Sequence, residues 1–452
     1  MISKFKILIL SIIFIGMFVN SIPIMELGAI LLVGVITFDL LTKDSEIMPI
    51  GLIALCISGF QWLISPILTY HSPFNLYPMS VSEDIYLKWT LLGYIGFVAG
   101  VYYGRSRLKY KPNVNKLTSH CCCLLKPIKI LIIVGALSML MPVMGSTWSF
   151  IKELLGGLFV VGITMLMYAK PQKAIKSVLC AIVFLLLISL RGGMFHNMVV
   201  WGIFLLLTLF SIKKYLLTKK LIIIACLFVG LFTLQSIKAV YRSYTWYGKE
   251  GYSGNNITLF VNLFYSSLTG NLIETDETDI NSRFNQGWII SRIYSHIPQQ
   301  TDYLYGKTIF EGIESSLLPR FLFPTKKDSG KASIQDFEHF TGYHLSSSTS
   351  MGLSIWGEAY GNFGVTGGAI FMFLWGTLIS QLLEFIYFLY QRKGYWIFFA
   401  PIISFNLIKA EINFLSVFNW TVKSLIFCWA IITLLNKYYP NQDVTNLLQE
   451  ET

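Results

Sequence analysis

A chain of 452 residues and 51.4 kDa that is 54% hydrophobic and only 13% charged, with a mean hydropathy of +0.61, is not composed like a soluble protein, in which about a quarter of residues are charged. Lipid stands in for much of the internal core, so length does not count domains. The net charge of +11 and pI near 9.1 indicate a nucleic-acid partner only where the basic residues share one surface, and their positions show that they do not. Seven cysteines, with Cys121, Cys122 and Cys123 adjacent, match neither a disulfide scaffold nor zinc spacing. They read as reduced thiols, with palmitoylation-type membrane contact as the alternative.

Along the chain, apolar stretches approach the roughly 20 residues needed to cross about 30 Å of hydrocarbon. Twelve are expected, near 5–20, 24–42, 48–70, 89–104, 128–145, 153–169, 175–190, 197–212, 221–238, 363–390, 395–412 and 420–437. The first follows Lys4 and Lys6 but has no small-residue cleavage site before Pro23, so it reads as an uncleaved helix. Trp89, Trp148, Trp396 and Trp420 fit interfacial belts. The expected fold is an all-α polytopic membrane protein with about 12 spans. It divides into spans 1–9 over 1–240, a large outer loop over 241–362, and spans 10–12 with a tail over 363–452.

Every second connection is basic. Arg105, Arg107, Lys109, Lys111, Lys116, Lys126 and Lys129 occupy one; Lys170, Lys173 and Lys176 the next; Lys213, Lys214, Lys219 and Lys220 another; Arg392 and Lys393 follow, then Lys437. Positively charged short loops stay in the cytoplasm, and about 20 of the 35 Lys and Arg fall on this side, which predicts both termini cytoplasmic. The net charge is mostly topology.

The outward stretch from Tyr241 to about Asn362 differs from the other connections. It holds Glu274, Asp276, Glu277, Asp279, Lys326, Lys327 and Asp328, yet also Trp246, Phe284, Trp288, Tyr294, Tyr303 and Phe337. A long loop that is not of low complexity is usually a functional element, and these aromatic residues predict helical or irregular ordered pieces. No GxxxxGK[ST] and no strand-borne GxGxxG is present, so ATP is not indicated. Six histidines are scattered, and His339 with His344 lacks the HExxH arrangement; no metal site is expected.

What remains is cationic. Arg191 ends an apolar helix at an outward turn, Leu190-Arg191-Gly192-Gly193, and Lys238 and Arg242 lie about one helical turn apart where the ninth span emerges. Snorkelling accounts for such residues near helix ends, and for Lys238 in particular. Positive charge is disfavoured on the outer side, however, and arginine's planar fork suits bidentate phosphate binding. A pyrophosphate at the membrane surface is one reason for such residues.

Two further stretches complete a pattern. Leu318-Pro319-Arg320-Phe321-Leu322-Phe323-Pro324-Thr325-Lys326 and Trp356-Gly357-Glu358-Ala359-Tyr360-Gly361-Asn362-Phe363-Gly364 resemble elements of the Wzy-type O-antigen polymerases, the oligosaccharide repeat-unit polymerases of bacterial inner membranes. The Leu190-Arg191-Gly192 turn and Tyr241-Arg242 match positions where that family carries arginines. The specific motifs cover about residues 186–376 of a chain whose whole topology is similar. The resemblance implies a GT-C-like, metal-independent glycosyltransferase without cofactor, its active site periplasmic. It would transfer a growing glycan from undecaprenyl pyrophosphate to another lipid-linked repeat unit, in O-antigen or surface polysaccharide synthesis, beside the lipid bilayer and a chain-length regulator protein. No nucleic acid takes part.

On this reading Arg191, Arg242 and Arg320 clamp the pyrophosphate, and Glu358 and His344 are the candidate bases, both outward titratable groups beside the tenth span. Tyr241, Tyr360 and Asn362 are candidate glycan contacts. The plainer alternatives are that Glu358 complements a helix dipole and Asn362 caps a helix. An O-antigen ligase shares the topology and the outer arginines, and is the nearest alternative activity. A flippase or other transporter would carry internal repeats and midplane polar groups, which the sequence does not show.

Overall fold

The computed structural model describes residues 2–42, 47–72, 75–110, 112, 114–122, 124–142, 145–246, 253–269, 284–318, 329–345, 351–392 and 394–439. Among these residues every regular element is helical. The first half comprises α1 (Ile2–Val19), α2 (Ile22–Thr42), α3 (Ile50–Tyr70, π-helical over Phe60–Ile64), α4 (Glu83–Ser106), α5 (Val114–Cys122), α6 (Leu125–Leu140), α7 (Ser146–Ala169), α8 (Ala174–Gly192), α9 (His196–Lys213) and α10 (Leu217–Thr245). Then come α11 (Asn256–Leu268), α12 (Gly287–His296), α13 (Lys307–Leu317), α14 (Ser329–Thr341), α15 (Ile355–Arg392), α16 (Trp396–Ser404) and α17 (Phe414–Tyr438).

Nine helices among the described residues are long and apolar enough to cross a membrane: α2, α3, α4, α7, α8, α9, α10, α15 and α17. The chain is a polytopic membrane protein. Three expected spans take other forms. The apolar part of α1 is Ile7–Val19, and α6 has 16 residues, about 24 Å of helix against about 30 Å of hydrocarbon. Of the expected 395–412 span only Trp396–Ser404 is helical.

That break is built into the sequence. Pro401 lies inside α16, and proline cannot supply the N–H that an uninterrupted helix needs. The freed backbone is satisfied by neighbours, as irregular backbone buried within a membrane protein must be. Trp420 Nε1 donates to the Ile402 carbonyl (2.7 Å), Trp62 Nε1 to the Ala410 carbonyl (3.2 Å), and the Ser354 N–H to the Glu411 carbonyl (3.2 Å). Trp396 and Trp420, expected in interfacial belts, are both buried against protein.

The tightest packing joins α4 to α15. Gly96 and Gly100 face the backbone carbonyls of Ala369 and Phe373, and Gly376 faces the Phe97 carbonyl. Thr377 Oγ1 donates to the Gly100 carbonyl (3.3 Å) and Ser380 Oγ to the Val101 carbonyl (3.1 Å). Small residues at helix crossings let backbones approach, and hydroxyls join them. At Gly364, with φ of +69°, α15 kinks, which separates the stub 355–363 from the long segment beyond it. The expected tenth span starts at this kink.

The long stretch expected to face outward is partly apolar and folds back on the bundle. Phe260 of α11 packs with Leu190, Phe195, Ile237 and Tyr241, and Ser267 Oγ lies 2.8 Å from Ser236 Oγ of α10. Because Ser236 precedes Tyr241 on α10, α11 returns alongside the helix that precedes it. Further on, α12 buries Ile289, Ile290 and Ile293. Cys121 is buried and Cys122 exposed, both as free thiols, whereas Cys123 lies outside the described residues.

The glycine crossing can be tested by adding one methyl group. In Gly100→Ala the new Cβ overlaps the Phe373 carbonyl, an overpacking expected to cost about 1–3 kcal/mol. Gly34 has no atom within 4 Å of such a Cβ. The thermal midpoint of detergent-purified protein should fall for Gly100→Ala and hold for Gly34→Ala. Equal midpoints would show that α4 and α15 do not need this close approach.

Candidate functional site

A cavity of about 490 Å³ opens among α6, α7, α8 and α9; Lys152, Glu153, Arg191 and Asn197 line it with charge and amide, and Ser149 and Ser189 with hydroxyls. Arg191 stands in the last turn of α8, which Gly193 ends in the left-handed conformation at φ +59°. A side chain at Gly193 would be strained there and would press on Trp246 Nε1 at 3.1 Å. The turn sends α9 back, so that Arg191 and Asn197 meet at one mouth. Arg191 Nη1 donates to the Leu140 carbonyl (3.3 Å) at the end of α6, where a helix leaves carbonyls without partners.

Lys152 lies within electrostatic reach of Arg191. Two cations lining one cavity repel each other unless an anion lies between them. Glu153 supplies some negative charge, but Asn197 Nδ2 already donates to its Oε1 (3.0 Å) and Lys409 pairs with it electrostatically. The Lys409 ammonium also lies 3.9 Å from the centre of the Phe405 ring, a cation–π contact. Next to Asn197, His196 Nε2 is 3.3 Å from Glu411 Oε1. The remainder of the lining changes character. Gly156, Leu185, Ile188 and Trp201 lie about a turn or more further along their helices than Lys152, Arg191 and Asn197, toward the middle of the bundle, and offer no charge. The cavity has a charged mouth and an apolar interior.

Arg242 belongs to the same rim. Its Nε donates to the Gly193 carbonyl (3.0 Å) and its guanidinium stacks 4.2 Å above the Trp246 ring. Tyr241 beside it is buried, and its hydroxyl donates to the Leu190 carbonyl (2.8 Å). The sequence pairing of Arg191 with Arg242 thus corresponds to one turn held from both sides. Lys238, one turn before Arg242, interacts electrostatically with His196. Arg320 lies outside the described residues.

The other named residues occupy different surroundings. Glu358 is fully buried on the 355–363 stub. Its Oε1 accepts from Thr308 Oγ1 (2.7 Å) and its Oε2 from the Phe414 N–H (2.6 Å). That N–H is one of the donors a helix leaves free at its start, so Glu358 caps α17 rather than its own helix. Asn362 Nδ2 donates to Thr308 Oγ1 (2.8 Å) and its Oδ1 accepts from the Gly306 N–H (3.0 Å). The Tyr360 hydroxyl donates to the Ile297 carbonyl (3.1 Å), and its ring stacks on Trp89. Glu358 and Asn362 tie α13, α15 and α17 to each other, and Tyr360 ties α15 to α4 and to the end of α12. None of the three lines the cavity.

His344 is on the surface, 92% exposed, with Nδ1 3.4 Å from Glu338 Oε1. Burial, with His296 and Lys307 nearby, holds His339 below the ordinary imidazole range. Sequence reasoning missed Lys152, Glu153, His196 and Asn197 as site residues. The only local signal was a Lys-Glu pair at the start of an apolar stretch and an Asn just after the Arg191 turn. No spacing rule joins residues from three helices.

Glu358→Gln separates two roles. An amide presents a donor where Glu358 accepts two hydrogen bonds, and loss of a buried bond to a charged group costs about 1.5–3 kcal/mol. The variant should insert normally but unfold at a lower temperature in detergent. Unchanged thermal stability together with lost activity would instead make Glu358 a participant in chemistry.

No curated protein and no solved structure matches the chain. The model of one family, described as a domain of unknown function, matches residues 85–439, which include the cavity, the rim arginines and the Glu358 network. The chain belongs to that family, DUF8712.

Proposed function

We propose that this chain is a glycosyltransferase that joins oligosaccharide units carried on undecaprenyl pyrophosphate, as the Wzy-type polymerases it resembles do. The observation that carries the proposal is the cavity in which Arg191 and Lys152 share a charged mouth above an apolar interior. An anionic headgroup with a long apolar tail fits such a gradient. The pyrophosphate meets Arg191, whose fork makes paired hydrogen bonds, and the prenyl chain continues along Leu185 and Ile188. The flanking helices α6 and α8 expose Leu137 and Leu187, residues suited to lipid.

In the reaction an acceptor hydroxyl oxygen attacks the anomeric carbon of the donor glycan, and the bond from that carbon to the pyrophosphate oxygen breaks. The proton passes to a base, and lipid pyrophosphate leaves with its negative charge held by cations. His196, oriented by Glu411 beside Asn197, is suited to take that proton. Glu358, with both oxygens engaged, and His344, on the surface, are the other candidates. Arg242 supports the turn that carries Arg191.

The topology in this reading is twelve crossings in a bacterial inner membrane, with both termini cytoplasmic. The Tyr395 hydroxyl donates to the Tyr439 carbonyl, and the Phe414 N–H donates to Glu358. These bonds support a path for 395–414 that runs from one end of the bundle to the other despite its broken helix. Reporter fusions at Lys173 and Lys214 should behave as cytoplasmic and one at Asn255 as exported. An exported signal at Lys214 would invert the site and defeat the proposal.

Activity is read on surface glycans. A strain lacking the chain should carry a single repeat unit on its lipid core; complete absence of repeat units would favour the ligase reading. At matched protein levels, Arg191→Lys keeps the charge but loses the fork and should slow chain extension roughly a hundred- to a thousandfold, the scale of removing one transition-state donor. Normal ladders from Arg191→Lys would show that the arginine only snorkels.

A further inference from the structure

A second cluster lies where α2, α3 and α4 end or begin, and it involves none of the residues above. Glu26 sits in the second turn of α2, His71 caps the end of α3, and Glu83 is the first residue of α4. His71 Nε2 is 2.6 Å from Glu26 Oε1 and 3.9 Å from Glu83 Oε1. One ligand atom from each of the three lies within 4.8 Å of the others. Zinc bonds of about 2.0–2.2 Å in a tetrahedral site separate ligand atoms by roughly 3.3–3.5 Å, so small side-chain movements suffice to close on one ion.

Charge balance and an orphaned oxygen point to a cation. The Glu26 and Glu83 carboxylates each bring an oxygen within 4.8 Å of the other and of the one imidazole, and like charges so placed favour a positive charge between them. Glu83 Oε1 is shielded from solvent and accepts no hydrogen bond among the described residues. A buried carboxylate oxygen is costly to leave without a partner.

We propose that Glu26, His71 and Glu83 form a divalent-metal site suited to Zn²⁺, with a fourth position open to water. One imidazole and two carboxylates are ligands that zinc accepts, and three protein ligands leave one place free. His71 is 61% exposed on its side chain, which gives an ion a path from solvent. The site is independent of the proposed glycosyl transfer and acts as a clamp. It fastens the 71–83 connection, against which the following segment rests. Asn285 Nδ2 donates to Thr69 Oγ1 (2.8 Å), and the Ser80 N–H donates to Ser291 Oγ (3.0 Å). Metal at this point would hold the outer end of three helices and the base of α12.

The test uses the full chain, tag-free in detergent, stripped with chelator and then titrated with ZnCl₂. Elemental analysis after gel filtration should find one equivalent of zinc retained and the thermal midpoint raised. His71→Ala and Glu83→Gln should each lose the bound equivalent, whereas His339→Ala should keep it. Co²⁺ in place of zinc should give the visible absorption of a low-coordinate site, abolished in His71→Ala. Because His71 is on the surface, that variant should fold, and its midpoint without metal serves as the check. Failure of the stripped parent to retain zinc, or equal retention by His71→Ala, overturns the proposal whatever the glycan ladders show.

Discussion

Where α4 crosses α15, glycine brings backbone against backbone, and the force that holds the pair is close van der Waals contact with a few hydroxyl hydrogen bonds. Lipid tails are as apolar as leucine, so exclusion of water does little to drive helices together inside a bilayer. Contact area at short range has to do it, and side chains at Gly96 or Gly100 would remove that range. The consequence extends past the crossing. Trp356, at the start of α15, packs over Gly93 of α4 and donates to the Tyr294 hydroxyl (2.6 Å), which in turn meets Thr90 (2.9 Å). The segment around Tyr294 is thereby registered to the bundle through α4.

The same crossing places Glu358. With the stub 355–363 held by α4, its carboxylate reaches the first N–H of α17 and the Thr308 hydroxyl. A motif that in the sequence suggested chemistry is here a junction of three helices. The two roles draw on the same property, because a carboxylate removed from water interacts strongly with whatever donors it is given. The donors in this case are one backbone group and one hydroxyl, both with short bonds.

The charged mouth follows different physics. Its cations come from α7 and α8, and from the rim that Arg242 braces through the Gly193 carbonyl. Arg191 and Lys152 are close enough to repel, and the nearby carboxylates are partly engaged by Asn197, Lys409 and His196. In the proposed function such a distribution suits an anionic headgroup at the charged end and a hydrocarbon tail along the apolar lining.

By itself the sequence determined that the chain belongs in a membrane, roughly where its helices run, and which connections are basic. These properties depend on composition and on runs of about 20 residues, which a linear string displays directly. It also singled out Arg191 and Arg242, because arginines expected on the outward side are conspicuous against the charge rule. Tertiary structure alone decided that the 395–412 span is helical only over Trp396–Ser404 and that tryptophans from other helices satisfy the exposed carbonyls. It alone decided that Glu358 caps α17 and that Lys152 and Asn197 join Arg191 at one cavity. Glu26, His71 and Glu83 show the reason most plainly. Each lies at or near the end of a different helix, and only the packing of those helices, driven by contacts far along the chain from the three residues, brings their side chains within reach of one ion.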